Sequence, residues 1–410
     1  MQTSYTRLRA ACYTSSLTTS VIANLSPVLF ITFHTLYGVS FGRLGLLVLI
    51  NFLTQLGVDL LFSFYSHKFN IPLTVRLMPV LAAAGLIVYG IAPLFFPGNV
   101  YLGIVFGTVI FSAAAGLAEV LISPVIAAIP AKDPDREMSQ LHSVYAWGVV
   151  AVIPLSSLFL LAFGKENWLF LPLLFALLPL SSSMLFAQAQ IPPMKTPERV
   201  SGALSLCRNP ALWLCVIMIF FGGAAECTMA QWCSGYLEQA LSIPKVWGDL
   251  FGAALFGLML AIGRTLYARY GRNVEKILLY GFASSVLCYI VCALTGSPVV
   301  GLLSCALTGF CTSLLWPGSL VVAAERLPQG GVFIYAMMAA GGDLGAAVGP
   351  QLMGSITDLF IASPVLAQFA QQLALSPDQL GLKAGLLLAA LFPLCGMFIA
   401  RRFCHKATKK

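Results

Sequence analysis

The chain has 410 residues, 59% of them hydrophobic and 9% charged, with a mean hydropathy of +0.89. Soluble globular domains are about 45–50% apolar and about 25% charged, so a water-dissolved fold is excluded. The formal net charge of +8 is accounted for by the loops described below, and no nucleic-acid partner is expected.

Apolar stretches of about 20 residues, enough to cross a hydrocarbon core about 30 Å thick, recur along the whole length. Twelve are predicted, at 17–39, 42–65, 74–96, 99–128, 140–163, 167–188, 209–237, 246–268, 274–295, 298–324, 331–360 and 381–402. In lipid every backbone N–H and C=O needs an internal partner, and these stretches lack the apolar/polar alternation of a membrane β-barrel. They are read as helices, giving an all-α membrane protein. Arg7 and Arg9 precede the first stretch as in a signal peptide, but the stretch is long and has no small-residue cleavage site, so it is read as the first span.

Of the 23 Lys and Arg, nineteen fall on one side of this arrangement and four, Arg43, Lys165, Lys245 and Lys383, on the other. Cationic loops favour the cytoplasm, so both termini are expected there, in the cytoplasmic membrane of a bacterium. Because the bias alternates loop after loop, it supports the number of spans as well as their orientation. The longest internal polar connection, Gln188 to Arg208, divides the spans six and six. The expected organisation is a first bundle over 1–188, a cytoplasmic linker over 189–208 and a second bundle over 209–410, related by pseudo-symmetry.

In chain order, the first span carries Asn24 and, near its end, His34; the second carries Asn51, Gln55 and Asp59. Glu119 lies about twenty residues into the fourth span, past its middle, with Gly116 and Ala118 leaving room for a neighbouring backbone. An acidic side chain near the bilayer centre costs on the order of 3 kcal/mol, so it is expected to face inward. A carboxyl in apolar surroundings is suited to binding and releasing a proton. The fifth span adds His142, Tyr145 and Trp147. Trp168 and Trp247, at span ends, read as interface anchors.

In the second half, Glu226 lies in Gly222-Gly-Ala-Ala-Glu-Cys-Thr-Met-Ala-Gln-Trp232, where small residues followed by Gln231 and Trp232 suggest a loosened helix lining a cavity. Asp343 belongs to the glycine-rich Gly341-Gly-Asp-Leu-Gly345. The plain alternative for each acid is a structural hydrogen bond or ion pair between helices, and Asp59, near a cytoplasmic turn, fits that use best. Glu119, Glu226 and Asp343 are the proton-coupling candidates. Asn24, Asn51, Gln55, His142, Tyr145, Trp147, Gln231, Trp232 and Trp316 are the solute-binding candidates, offering hydrogen bonds and flat apolar faces. The eleven cysteines lie mostly inside apolar spans, where Cys acts as a small hydrophobe, and four histidines without clustered spacing predict no metal site. No cofactor is expected beyond a coupling ion, a proton or sodium.

Two internal matches link the halves. Gly116-Leu-Ala-Glu-Val-Leu-Ile-Ser-Pro124 and Gly309-Phe-Cys-Thr-Ser-Leu-Leu-Trp-Pro317 share Gly, Leu and Pro at the same offsets in the fourth and tenth spans. Gly263-Arg-Thr-Leu-Tyr-Ala-Arg-Tyr-Gly-Arg272 resembles the loop signature Gly-x-x-x-Asp-Arg-x-Gly-Arg of the major facilitator superfamily, with Ala268 in place of Asp. Its first-half counterpart at 62–70 keeps only His67 and Lys68 as basic residues. Arg264, which opens the signature, reads as a packing element.

The segment Gly116–Pro124 also resembles the fourth-helix Gly-x-x-Glu-Thr-x-x-Asn-Pro of the fucose:proton symporter family, with Val120 and Ser123 replacing Thr and Asn. Leu141-His-Ser-Val-Tyr-Ala-Trp-Gly148, Leu315-Trp-Pro317, Gly341-Gly342 and Pro350 resemble its fifth, tenth and eleventh helices. The resemblance implies that Glu119 belongs to proton-coupling machinery. The first-helix acid of that family has no counterpart in Ala23-Asn-Leu-Ser-Pro27.

The expected function is secondary active transport of a small polar organic solute, such as a sugar or related metabolite, by a monomer working through alternating access of the two bundles. A proton-driven exporter of amphipathic compounds is the nearest rival, favoured by Met229, Met259, Met337 and Met338. A non-transporting nutrient sensor is a second. An enzyme is not expected, because no nucleophile, base and orienting residue stand together.

Overall fold

The computed structural model describes residues 5–65, 68–130, 134–192, 208–270, 273–327 and 331–407. Within these helices a few side chains, His142 among them, also lie outside the described residues. The sequence expectations for His67, linker positions 193–207 and Arg272 fall outside as well. All regular structure among the described residues is helical.

Among the described residues eleven helices are long and apolar enough to cross a membrane, and a shorter apolar helical stretch covers Trp147–Phe163. The elements are α1 (Thr6–Tyr37), α2 (Phe41–Tyr65), α3 (Ile71–Phe95), α4 (Val100–Ala127), α5 (Pro134–Phe163), α6 (Phe170–Phe175) and α7 (Leu177–Ala187). They continue with α8 (Pro210–Ala240), α9 (Lys245–Trp247), a π-helical turn (Gly248–Ala254), α10 (Leu255–Tyr270), α11 (Val274–Leu294), α12 (Pro298–Thr312) and α13 (Leu315–Arg326). The last are α14 (Gly331–Ala362), α15 (Pro364–Gln372), α16 (Pro377–Ala389) and α17 (Leu391–Ala407).

Among the described residues three predicted spans are interrupted by a turn, and each of these turns precedes a proline. Proline has no N–H for the carbonyl four residues back, and its ring crowds that carbonyl. Pro179 follows the α6–α7 break at Ala176, Pro317 the α12–α13 break at Ser313–Leu314, and Pro393 the α16–α17 break at Ala390. Pro27, Pro124 and Pro350 are carried inside continuous helices.

The chain divides into two units, Met1–Gly38 with Ile50–Glu198, and Val39–Leu49 with Arg199–Lys410. In the first unit α1 is the most enclosed helix, with Leu25, Leu29, Phe30 and Phe33 fully buried. Trp168 corrects a sequence expectation. It is fully buried, set edge-on against Phe33 and Tyr89, and its indole N–H donates to the Tyr37 hydroxyl at 2.9 Å. The aromatic pocket outcompetes the interface because it offers both ring contacts and an acceptor. Trp247 is 54% exposed and stacks on Phe251.

In the second unit α8 crosses α14 at backbone contact distance. A Cβ at Gly345 would overlap the Phe220 carbonyl oxygen, and one at Gly223 would lie 2.5 Å from that of Gly342. Only hydrogen side chains permit this approach. The first turns of α2 also cluster with this unit. Their first-turn N–H groups, at Phe41 and Gly42, donate to the two carboxylate oxygens of Asp358 at 2.9 and 2.8 Å. A carboxylate there satisfies orphan donors and complements the positive end of the helix dipole.

Candidate functional site

The first unit holds a polar seam between α2 and α4. Asn51, Gln55 and Asp59 are four residues apart and share one face of α2. Buried Asn51 accepts through Oδ1 from Gln55 Nε2 at 3.0 Å and from Ser112 Oγ at 2.6 Å. One turn on, a Cβ at Gly116 would come within 3.0 Å of the Gln55 carbonyl oxygen and of Asp59 Oδ1. The room foreseen at Gly116 is occupied by α2.

Glu119 continues this seam. It lies seven residues from Ser112, which at about 3.6 residues per turn puts the two nearly on the same face of α4. Its side chain is exposed, and it has no hydrogen-bond or ion-pair partner among the described residues. The carboxyl therefore ends a row of satisfied amides and hydroxyls and is itself open.

The other first-unit candidates are dispersed. Asn24 Nδ2 donates to Ser20 O at 2.9 Å in its own helix, and Ser20 Oγ donates to the Tyr145 carbonyl at 2.8 Å. Tyr145 is 39% exposed and Trp147 70% exposed, so Trp147 is not packed against the seam. His34 is half-buried in the last turn of α1.

The second unit gathers charges instead. Glu226, near the middle of α8, receives Arg264 Nη2 on Oε1 at 3.2 Å, while Glu226 Oε2 is buried with no hydrogen-bond partner. Arg264 Nε donates to the Ser313 carbonyl at 3.1 Å. That carbonyl is the one Pro317 leaves without a helical donor, so the break between α12 and α13 is filled by a guanidinium. Cys227 lies within electrostatic reach of Glu226, Asp343 and Arg264 together. Asp343 is buried on α14. Trp316 is half-buried, and its ring fills the notch at Gly342 and Gly223.

Gln231 and Trp232 lie further along α8. Both are buried, and the Trp232 indole donates to the Pro350 carbonyl at 2.9 Å. α8 is continuous over Pro210–Ala240 rather than loosened at this stretch. The opened helix is the α12–α13 pair, where Pro317 supplies the physical cause.

Arg264 is the residue whose pairing sequence reasoning missed. The available signal was an acid at the middle of the seventh span, which needs a countercharge, and an arginine one to two turns inside the cytoplasmic end of the eighth, whose long side chain can reach it. A separate pair, Lys245 Nζ with the buried Asp249 at 3.2 Å, sits where the π-helical turn begins. Among the described residues no group of three or more His, Cys, Asp or Glu could hold a metal ion.

This architecture is that of a multi-pass membrane transporter. The chain belongs to the Major Facilitator Superfamily, which it matches over residues 11–350. Solved structures with the same fold include the D323A mutant of the nucleoside transporter NupG, at 13% identity and a TM-score of 0.76 over 97% of this chain and 98% of that one. A bacterial homologue of the human lysosomal transporter Spinster, in an inward-facing and occupied conformation, gives 13% identity and a TM-score of 0.73 over 97% and 95%. The E. coli fucose:proton symporter FucP gives 17% and 0.58 over 97% and 98%. No curated protein matches the chain in sequence.

Proposed function

We propose that the protein is a secondary active transporter that moves a small polar organic solute by alternating access, coupled to protons through Glu119. In this reading the chain crosses the membrane twelve times with both termini in the cytoplasm of a bacterial cell, which the Lys and Arg asymmetry of the loops supports, and it works as a monomer. The carrying observation is Glu119 itself, an acid in a membrane-spanning helix, on the seam face of α4 and open, where a permanent ion pair would have fixed its charge. Neutralising a membrane-embedded carboxyl removes a large solvation penalty, so proton occupancy biases whichever conformation gives it less water. The solute's binding can bias the same equilibrium, which is what coupling means energetically. Nucleoside, D-xylose and peptide transporters share the fold, consistent with a polar organic cargo.

The test is uptake into proteoliposomes with an inward proton gradient, using a panel of sugars, nucleosides and small organic acids. Wild type accumulates at least one compound above equilibrium; Glu119→Gln equilibrates it without accumulation. Accumulation by Glu119→Gln that still follows the proton gradient would falsify the role of this residue.

A further inference from the structure

The Glu226–Arg264 pair is incomplete on both sides. A guanidinium has five N–H donors in a planar fork. Arg264 uses one on Nε for Ser313 O and one on Nη2 for Glu226 Oε1, and its side chain is 45% exposed. The remaining three, on Nη1 and Nη2, form the end-on edge that matches a carboxylate through two parallel hydrogen bonds. Across the pair, Glu226 Oε2 is buried and lacks any donor. A buried carboxylate oxygen left unmatched is costly, and a proton on the carboxyl would remove the buried charge.

The second tether matters most. Because Arg264 Nε is anchored on the carbonyl freed by Pro317, the guanidinium stays in place if Glu226 lets go. We infer that the free edge of Arg264 receives a carboxylate on the transported solute, and that Glu226 takes a proton from water as the solute displaces it. This rests on the transporter reading above and names the class of its cargo, a monocarboxylate.

Charge balance favours a carboxylate over a phosphate ester. Glu226 is paired with Arg264 from α10; Cys227, next to it on α8, lies within electrostatic reach of Glu226, Arg264 and Asp343 of α14, and the Tyr289 hydroxyl of α11 donates to the adjacent Ala225 carbonyl at 2.6 Å. One carboxylate entering with one proton leaves the net charge of this cluster unchanged. A phosphate dianion would need a second proton.

The experiment uses the purified full-length protein and matched probes: glucuronate against glucose, lactate against glycerol, and glucose 6-phosphate as the phosphate arm. Thermal melting reads binding, and a pH indicator in weak buffer reads proton uptake. At least one carboxylate raises the melting temperature while its neutral partner does not, and about one proton is taken up per anion bound. Arg264→Lys, which keeps the charge and therefore the fold, weakens that binding at least about tenfold by losing the fork. Glu226→Gln binds the anion without proton uptake.

The assignment is overturned if no carboxylate shifts the wild type, if glucose 6-phosphate alone does, if Arg264→Lys binds as tightly as wild type, or if Glu226→Gln takes up the same proton. The two readings fail differently. Neutral solutes accumulated through Glu119 with no anion effect would sink this assignment and leave the transporter standing. Arg264-dependent anion binding without accumulation in liposomes would do the reverse.

Discussion

Gly116–Pro124 of α4 and Gly309–Pro317 across α12 and α13 carry glycine and proline at the same offsets, yet they handle their polar groups in opposite ways. The first stays helical through Pro124 and exposes an acid, Glu119, that no described residue pairs. The second breaks at Ser313–Leu314 and holds no acid of its own, but its freed carbonyl is bridged through Arg264 to Glu226 on another helix. The contrast teaches that proline alone does not fix the outcome. A helix interruption persists where a second donor satisfies the released carbonyl, and a charge stays open where none arrives.

Removing the bridge should have the largest effect on stability. Arg264→Gln leaves Glu226 without its countercharge. Breaking a buried pair costs about 3–5 kcal/mol, but the exposed Arg264 end lowers the expectation to about 2 kcal/mol. Glu226→Gln added to Arg264→Gln should recover most of it, because no bare charge remains. Denaturation of both variants in detergent checks the order; a double variant no better than the single one would show that the pair is not the reason for the loss.

Next comes the seam. Asn51→Ala deprives Ser112 and Gln55 of their shared acceptor and should cost about 1–2 kcal/mol in the same assay. It should leave proton-dependent uptake in place if Glu119 acts as an open carboxyl rather than as a member of the amide row.

Asp358→Ala should cost about 1 kcal/mol, the typical value of a lost cap, by freeing the Phe41 and Gly42 N–H groups. Faster hydrogen exchange confined to the first turn of α2 is the reading to look for. Smallest of all, Pro124→Ala should change stability by under about 1 kcal/mol, since α4 is already continuous there. A large loss would mean that Pro124 shapes α4 in a way its unbroken helix hides.

Much of the scaffold was legible beforehand. Length, apolar content and the absence of alternation dictate membrane helices, because in lipid an unsatisfied backbone has no competitor to helix. The family followed from Gly263–Arg272 and the paired Gly–Pro segments. Glu119 and Glu226 stood out because an acid in an apolar run is costly wherever it ends up. Trp168 did not read correctly: a tryptophan at a span end has the same local sequence whether it meets headgroups or an aromatic pocket.

What the sequence by itself determined was therefore the set of one-dimensional constraints: which segments enter the membrane, where prolines weaken them, and which residues carry a charge that must be accommodated. Tertiary structure alone decided the partners. That Arg264 reaches Glu226 and the carbonyl released by Pro317, while Glu119 remains open beside a satisfied amide row, depends on which helices touch and at what height. Those contacts join residues dozens of positions apart, and the local forces that shape a single helix carry no information about them.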